Sequence, residues 1–92
     1  MTWQQIRRET DADGRVWYCV EDACRFLGAD KAAALAHLRK WVPGQTAMYG
    51  VQINRYDTLR LSYVNDIGLI ALAIRFGQMP TAQVRGLIRA EA

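Results

Sequence analysis

Four sets of side chains in this sequence could do chemistry: the thiols Cys19 and Cys24, the imidazole of His37, the adjacent carboxylates Glu21 and Asp22, and the basic residues Lys31, Arg39 and Lys40 around the histidine. A zinc site needs four Cys or His ligands at short, fixed spacings. Two cysteines at a five-residue offset with a single histidine elsewhere do not supply them. The thiols are therefore expected to be reduced and packed in the interior. Glu21 and Asp22 open a helix, where negative charge complements the helix dipole. No Ser or Cys sits in an elbow-like turn, and no Gly-rich loop precedes a helix in a phosphate-binding pattern. The sequence assigns no catalytic residue, metal or cofactor. It points to a recognition module rather than an enzyme.

The basic residues offer a different chemistry. The net charge is +3, and it is unevenly spread. Residues 1–30 hold four Arg against six acids, a balance of −2, while residues 31–92 hold eight Lys or Arg against three acids, a balance of +5. A basic two-thirds of the sequence attracts nucleic acid or an acidic protein; an ordinary uneven surface explains it equally well. The order helix, Gly28, helix invites a helix-turn-helix reading in which the second helix enters a major groove. That helix would present Ala33, His37 and Lys40, with Lys31 at its start and Arg39 to one side. Small alanines permit close approach, and Lys40 can reach a phosphate or a guanine edge. Simple packing of two short helices accounts for the same pattern. Arg55 and Arg60 are further candidate phosphate contacts. A second candidate surface, suited to a protein partner, joins Tyr49 and Tyr56 with Arg85 and Arg89, because Tyr and Arg are over-represented in binding hot spots. His37 falls opposite Leu35 and Leu38 and is expected to be exposed, whereas Trp41 is expected to be partly buried at the helix end.

These side chains need elements to hold them. Ninety-two residues with 51% hydrophobic content make one domain with one core. No apolar run approaches the ~20 residues of a membrane span. The N-terminus MTWQQIRRE has no apolar segment behind its charges, so it is not a signal peptide and a cytoplasmic location is expected. Residues 3–9 read as a strand, Asp11–Gly14 as a turn, and the β-branched and aromatic run Val16–Val20 as the partner strand. A helix opening at Glu21-Asp22 ends at Gly28. Asp30 caps a helix over Lys31–Trp41, with Leu35, Leu38 and Val42 as its buried stripe, and Pro43-Gly44 stops it. Residues 47–54 and 58–64 form a second hairpin around Asn54–Asp57. Asn65 caps a helix over 66–76 that is apolar on nearly all sides and expected in the core, or partly covered by a second copy in a homodimer. Pro80 suits the first turn of a last helix, with Val84, Leu87 and Ile88 inside and Arg85 and Arg89 outside. The expected fold is α+β: two hairpins packed with about four helices.

Residues 13–28, DGRVWYCVEDACRFLG, resemble the opening of the Bro-N domain, shared by baculovirus repeated-ORF proteins and many phage antirepressors. There a short hairpin runs into an aromatic-bearing strand and a Val–acidic–apolar helix ending in Leu-Gly, matched here by Trp17, Val20, Asp22, Leu27 and Gly28. The segment AAALAHLRKWV falls where the family has its Lys- or Arg-bearing second helix. The tail VNDIGLIALAIRFGQMPTAQVRGLIRAE is similar to the family's ending at Asn65, Asp66, Gly68, Leu69, Ile74, Arg75, Pro80 and Val84. The resemblance spans roughly residues 5–92 and lies in the order of elements. It implies a domain that binds DNA, or one that binds a phage repressor and disables it. Two departures are visible: Leu87 or Ile88 stands where the family often has an aromatic residue, and residues 1–92 read as a stand-alone domain with no second domain. A stand-alone module acts either as a DNA-binding phage regulator or as an inhibitor that occupies a phage or host regulatory protein. No membrane partner is expected.

Overall fold

The Val-Trp-Tyr-Cys run of residues 16–19 organises the fold, because it pairs on both of its edges. In the computed structural model, which describes residues 1–90, strands β1 (Arg8–Thr10), β2 (Val16–Cys19), β3 (Thr46–Gln52) and β4 (Thr58–Val64) form one antiparallel sheet of order β1-β2-β4-β3. The two hairpins join through Tyr18↔Val64 and Cys19↔Tyr63. Helices α1 (Val20–Leu27), α2 (Lys31–Trp41), α3 (Asp66–Phe76) and α4 (Thr81–Arg89) complete the α+β architecture.

Alternation along the strands gives the sheet two different faces. Tyr18 and Val64 turn to the helices and enter the main core with Val20, Ala34, Leu38, Leu69, Leu72 and Val84. Trp17, Cys19, Leu61 and Tyr63 turn the other way and form a second cluster with Ala47, Tyr49 and Val51. Every member of that second cluster comes from a strand.

Several boundaries differ from the sequence reading. Residues 3–9 are not one strand. The Thr2 amide donates to the Gln5 side chain at 2.8 Å, a 3-10 turn forms over Trp3–Gln5, and β1 begins only at Arg8. Val20 belongs to α1 rather than to β2. Pro80 precedes α4 as its cap residue instead of occupying its first turn. Helix α3 is not enclosed on all sides: Leu69, Leu72 and Ala73 are buried, while Ile67 and Ile74 are half exposed.

Three local devices fix the helices. Gly28 ends α1 at φ 72°, a left-handed conformation that glycine adopts without strain. Asp30 caps α2 by accepting from the Ala33 amide at 3.0 Å. Asn65 caps α3 by accepting from the Gly68 amide at 3.1 Å, while its own side-chain amide donates to the Gln45 side chain just before β3. A Cβ on Gly68 would stand 2.8 Å from the Val64 Cβ. The Asn-Asp-x-Gly-Leu segment that carries part of the Bro-N resemblance is thus a tight joint between sheet and helix.

Asp22 does more than complement the start of α1. It is buried and accepts from the Arg7 amide at 2.9 Å, from Arg7 Nε at 2.8 Å and from an Arg7 terminal nitrogen at 3.0 Å. These hydrogen bonds hold its carboxyl below the usual range, and they tie the entry to β1 against α1. Cys19 and Cys24 are free and buried, and burial pushes both thiols up, so neither is a reactive thiolate.

Candidate nucleic-acid interface

Helix α2 buries Ala34 and Leu38 in the core, with Leu35 and His37 partly covered beside them, and turns its other residues to solvent. Lys31, Ala32, Ala33, Ala36, Arg39 and Lys40 are all exposed. The helix has no acidic residue between its caps, and none of these cations enters an ion pair recorded among the described residues. Arg39 and Lys40 also lie in the last turn, where a cation complements the helix dipole. Both side chains remain exposed in that position.

His37 does not stand free in solvent as its helical position suggested. It is half buried because α3 runs beside α2: its ring meets Phe76 edge-on at 5.7 Å and tilts against Trp41 at 6.4 Å. Trp41 departs in the opposite sense. It is 63% exposed, because it is the last residue of α2 and the helix ends at its cap, Val42. The Lys40 ammonium lies 5.2 Å from the Trp41 ring, and the Arg75 guanidinium lies 5.4 Å from the Phe76 ring. Lys40, Trp41, His37, Phe76 and Arg75 therefore form a continuous strip of rings bracketed by two cations, running from α2 onto α3.

Arg75 and Phe76 were not among the sequence candidates for this surface. Their pairing with α2 depends on helix packing that no local spacing reveals. A usable hint is the position of Arg75 straight after the uncharged run 67–74 of that helix, where its charge must leave the core.

The remaining candidates are dispersed. Arg55 and Arg60 are exposed on the β3–β4 hairpin. Arg60 stands four residues before Val64, roughly 13 Å along the strand from the root of the hairpin. The main packing partners of helix α2 are α1 and α3. The alternative patch is not brought together. Tyr49 packs edge-on to Tyr63 at 5.1 Å on the sheet face turned from the helices, and Tyr56 stands 85% exposed near the hairpin tip. Arg85 and Arg89 lie on the outer side of α4, which packs on α3.

A cleft of about 590 Å³ opens between the β1–β2 turn, the start of α3 and Ile88 of α4. Carboxylates of Asp13 and Asp66 line it together with Arg15, and no cation of α2 does. Its polarity does not suit a phosphate. Among the described residues, no group of three His, Cys, Asp or Glu side chains could hold a metal ion, and no helix is long and apolar enough to cross a membrane.

Comparison with protein-family models, with curated proteins and with solved structures finds no match for this chain. The likeness to Bro-N domains therefore rests on the residues quoted above.

Proposed function

We propose that this domain is a small regulator of the Bro-N type that binds DNA through α2 and the adjoining end of α3. The observation that carries the reading is the ring-and-cation strip joining Lys40, Trp41, His37, Phe76 and Arg75, with Arg39 on the other exposed flank of α2, Lys31 at its N-terminus and no acid between the helix caps. Phosphates are held by exposed Lys and Arg, which position a protein on the duplex. Alanines on the same face let a helix approach a groove closely, and Lys40 extends from it towards a base edge or phosphate. Arg55 and Arg60 on the hairpin add long-range attraction.

Four phosphates engaged by Lys31, Arg39, Lys40 and Arg75 correspond to a logarithmic salt slope of about −3.6. Affinity should fall roughly a hundredfold between 50 and 200 mM salt. A gel-shift series with duplex DNA across that range tests this. Retention that does not change with salt, or no retention at the lowest salt, contradicts the proposal.

A second reading has one observation in its favour. The hairpin tip exposes Ile53 and Tyr56 beside Arg55, a composition suited to a protein hot spot. In that reading the domain is a non-enzymatic inhibitor that occupies a phage repressor or a host factor. It requires a stoichiometric complex that survives nuclease treatment and is lost on Tyr56→Ala.

A further inference from the structure

The two edges of the sheet are built differently. The β1 edge is three residues long and carries Arg8 and Glu9, a short charged strand of the kind that resists pairing with another chain. The β3 edge, Thr46–Gln52, is seven residues long, with no charge and no proline. It is paired with β4 along its whole length, so its backbone is already extended and in register. Among the described residues, no strand lies on its other side.

Backbone hydrogen bonding fixes which groups face outward. The Ile53 amide donates to the Asp57 carbonyl, and the Asn65 amide donates to the Gln45 carbonyl, so odd-numbered positions point their polar groups at β4. By the alternation of an antiparallel ladder, Thr46, Met48, Gly50 and Gln52 turn N–H and C=O to the free edge. Water can satisfy these groups, but a second strand satisfies them in a cooperative ladder.

We infer that the β3 edge pairs with β3 of a second copy of this chain, antiparallel about a two-fold axis through Tyr49. In this register Met48 faces Gly50 of the second copy and Thr46 faces its Gln52. Each such pair exchanges two hydrogen bonds, for about eight in all. Sliding the register two residues either way leaves an end residue of each strand unpaired. The faces also match. Ala47, Tyr49 and Val51 meet Val51, Tyr49 and Ala47 of the second copy, which extends the strand-only apolar cluster across the axis. Tyr49 meets its own copy at a non-hydrogen-bonded position, where side chains approach most closely. A neutral strand meets no like-charge penalty against itself, whereas a partner strand bearing charges would gain nothing from it. The contact is isologous and closes at two copies.

The test needs no nucleic acid, so it stands apart from the DNA reading. Sedimentation of the full chain from about 5 µM to 1 mM should show a monomer–dimer equilibrium. Met48→Pro removes an outward amide without touching the β4 ladder, and Gln52→Lys sets charge on the edge; each should shift the equilibrium to monomer. Hydrogen exchange on the unaltered chain should show the Met48 and Gly50 amides becoming protected as concentration rises. A monomer at every concentration overturns the proposal. So does a dimer that both variants retain, unchanged exchange at those amides, or growth beyond two copies.

Discussion

The His37 ring meets the Phe76 ring edge-on at 5.7 Å, and through this contact α2 and α3 present one surface instead of two. It fixes the half-buried imidazole between Trp41 and Phe76, and it brings the Arg75 end of α3 up to the basic face of α2.

Arg75 should therefore behave as part of that face. It is exposed and enters no ion pair among the described residues, so Arg75→Ala should change stability by less than about 0.5 kcal/mol. DNA affinity at low salt should fall several-fold, and the salt slope should become shallower by about 0.9. Paired urea titrations and anisotropy titrations check both halves. An unchanged slope removes α3 from the interface.

Asp22 should control the acid limb of stability. Arg7 holds its carboxyl below the usual range through hydrogen bonds. Its contribution is complete above the unfolded-state carboxylate pKa and is lost as pH falls through the lower folded value. Asp22→Asn should cost about 2 kcal/mol near neutral pH, the scale of hydrogen bonds to a charged group. Arg7 is partly exposed, so water softens its loss of a partner. Urea denaturation from about pH 6 down to pH 2 should show the gap between the two chains narrowing. A gap that stays constant means the pair is not electrostatic in origin.

Local signals in the sequence were legible because local physics decides them. Asp30 and Asn65 are both caps, Gly28 is a left-handed terminus, and α2 and α3 occupy the expected spans. Nonlocal consequences were not legible. The exposure of Trp41, the shelter of His37 under Phe76 and the separation of Tyr49 from Arg85 all follow from which elements become neighbours. The role of Asp22 was hidden for the same reason: its partner Arg7 lies on an earlier segment that reads as a plain strand. The all-apolar appearance of α3 overstated its burial because Ile67 and Ile74 have no layer above them.

Two glycines should respond to alanine with opposite signs. At Gly68 a Cβ would press to 2.8 Å on Val64, so Gly68→Ala should destabilise by roughly 1–2 kcal/mol after its gain in helix propensity. At Gly86, in α4, nothing lies within 4 Å of the added Cβ, and Gly86→Ala should stabilise by up to about 1 kcal/mol. Thermal melts of both variants read the signs directly. Equal effects mean that the joint between β4 and α3 is looser than its geometry.

The sharpest test of the central proposal is the salt dependence of duplex-DNA binding by the unaltered chain and by Arg39→Ala with Lys40→Ala, measured by fluorescence anisotropy. The account predicts a slope near −3.6 for the former and a slope shallower by about 1.8 for the latter, with tighter binding by the unaltered chain throughout. Parallel lines for the two proteins would contradict it.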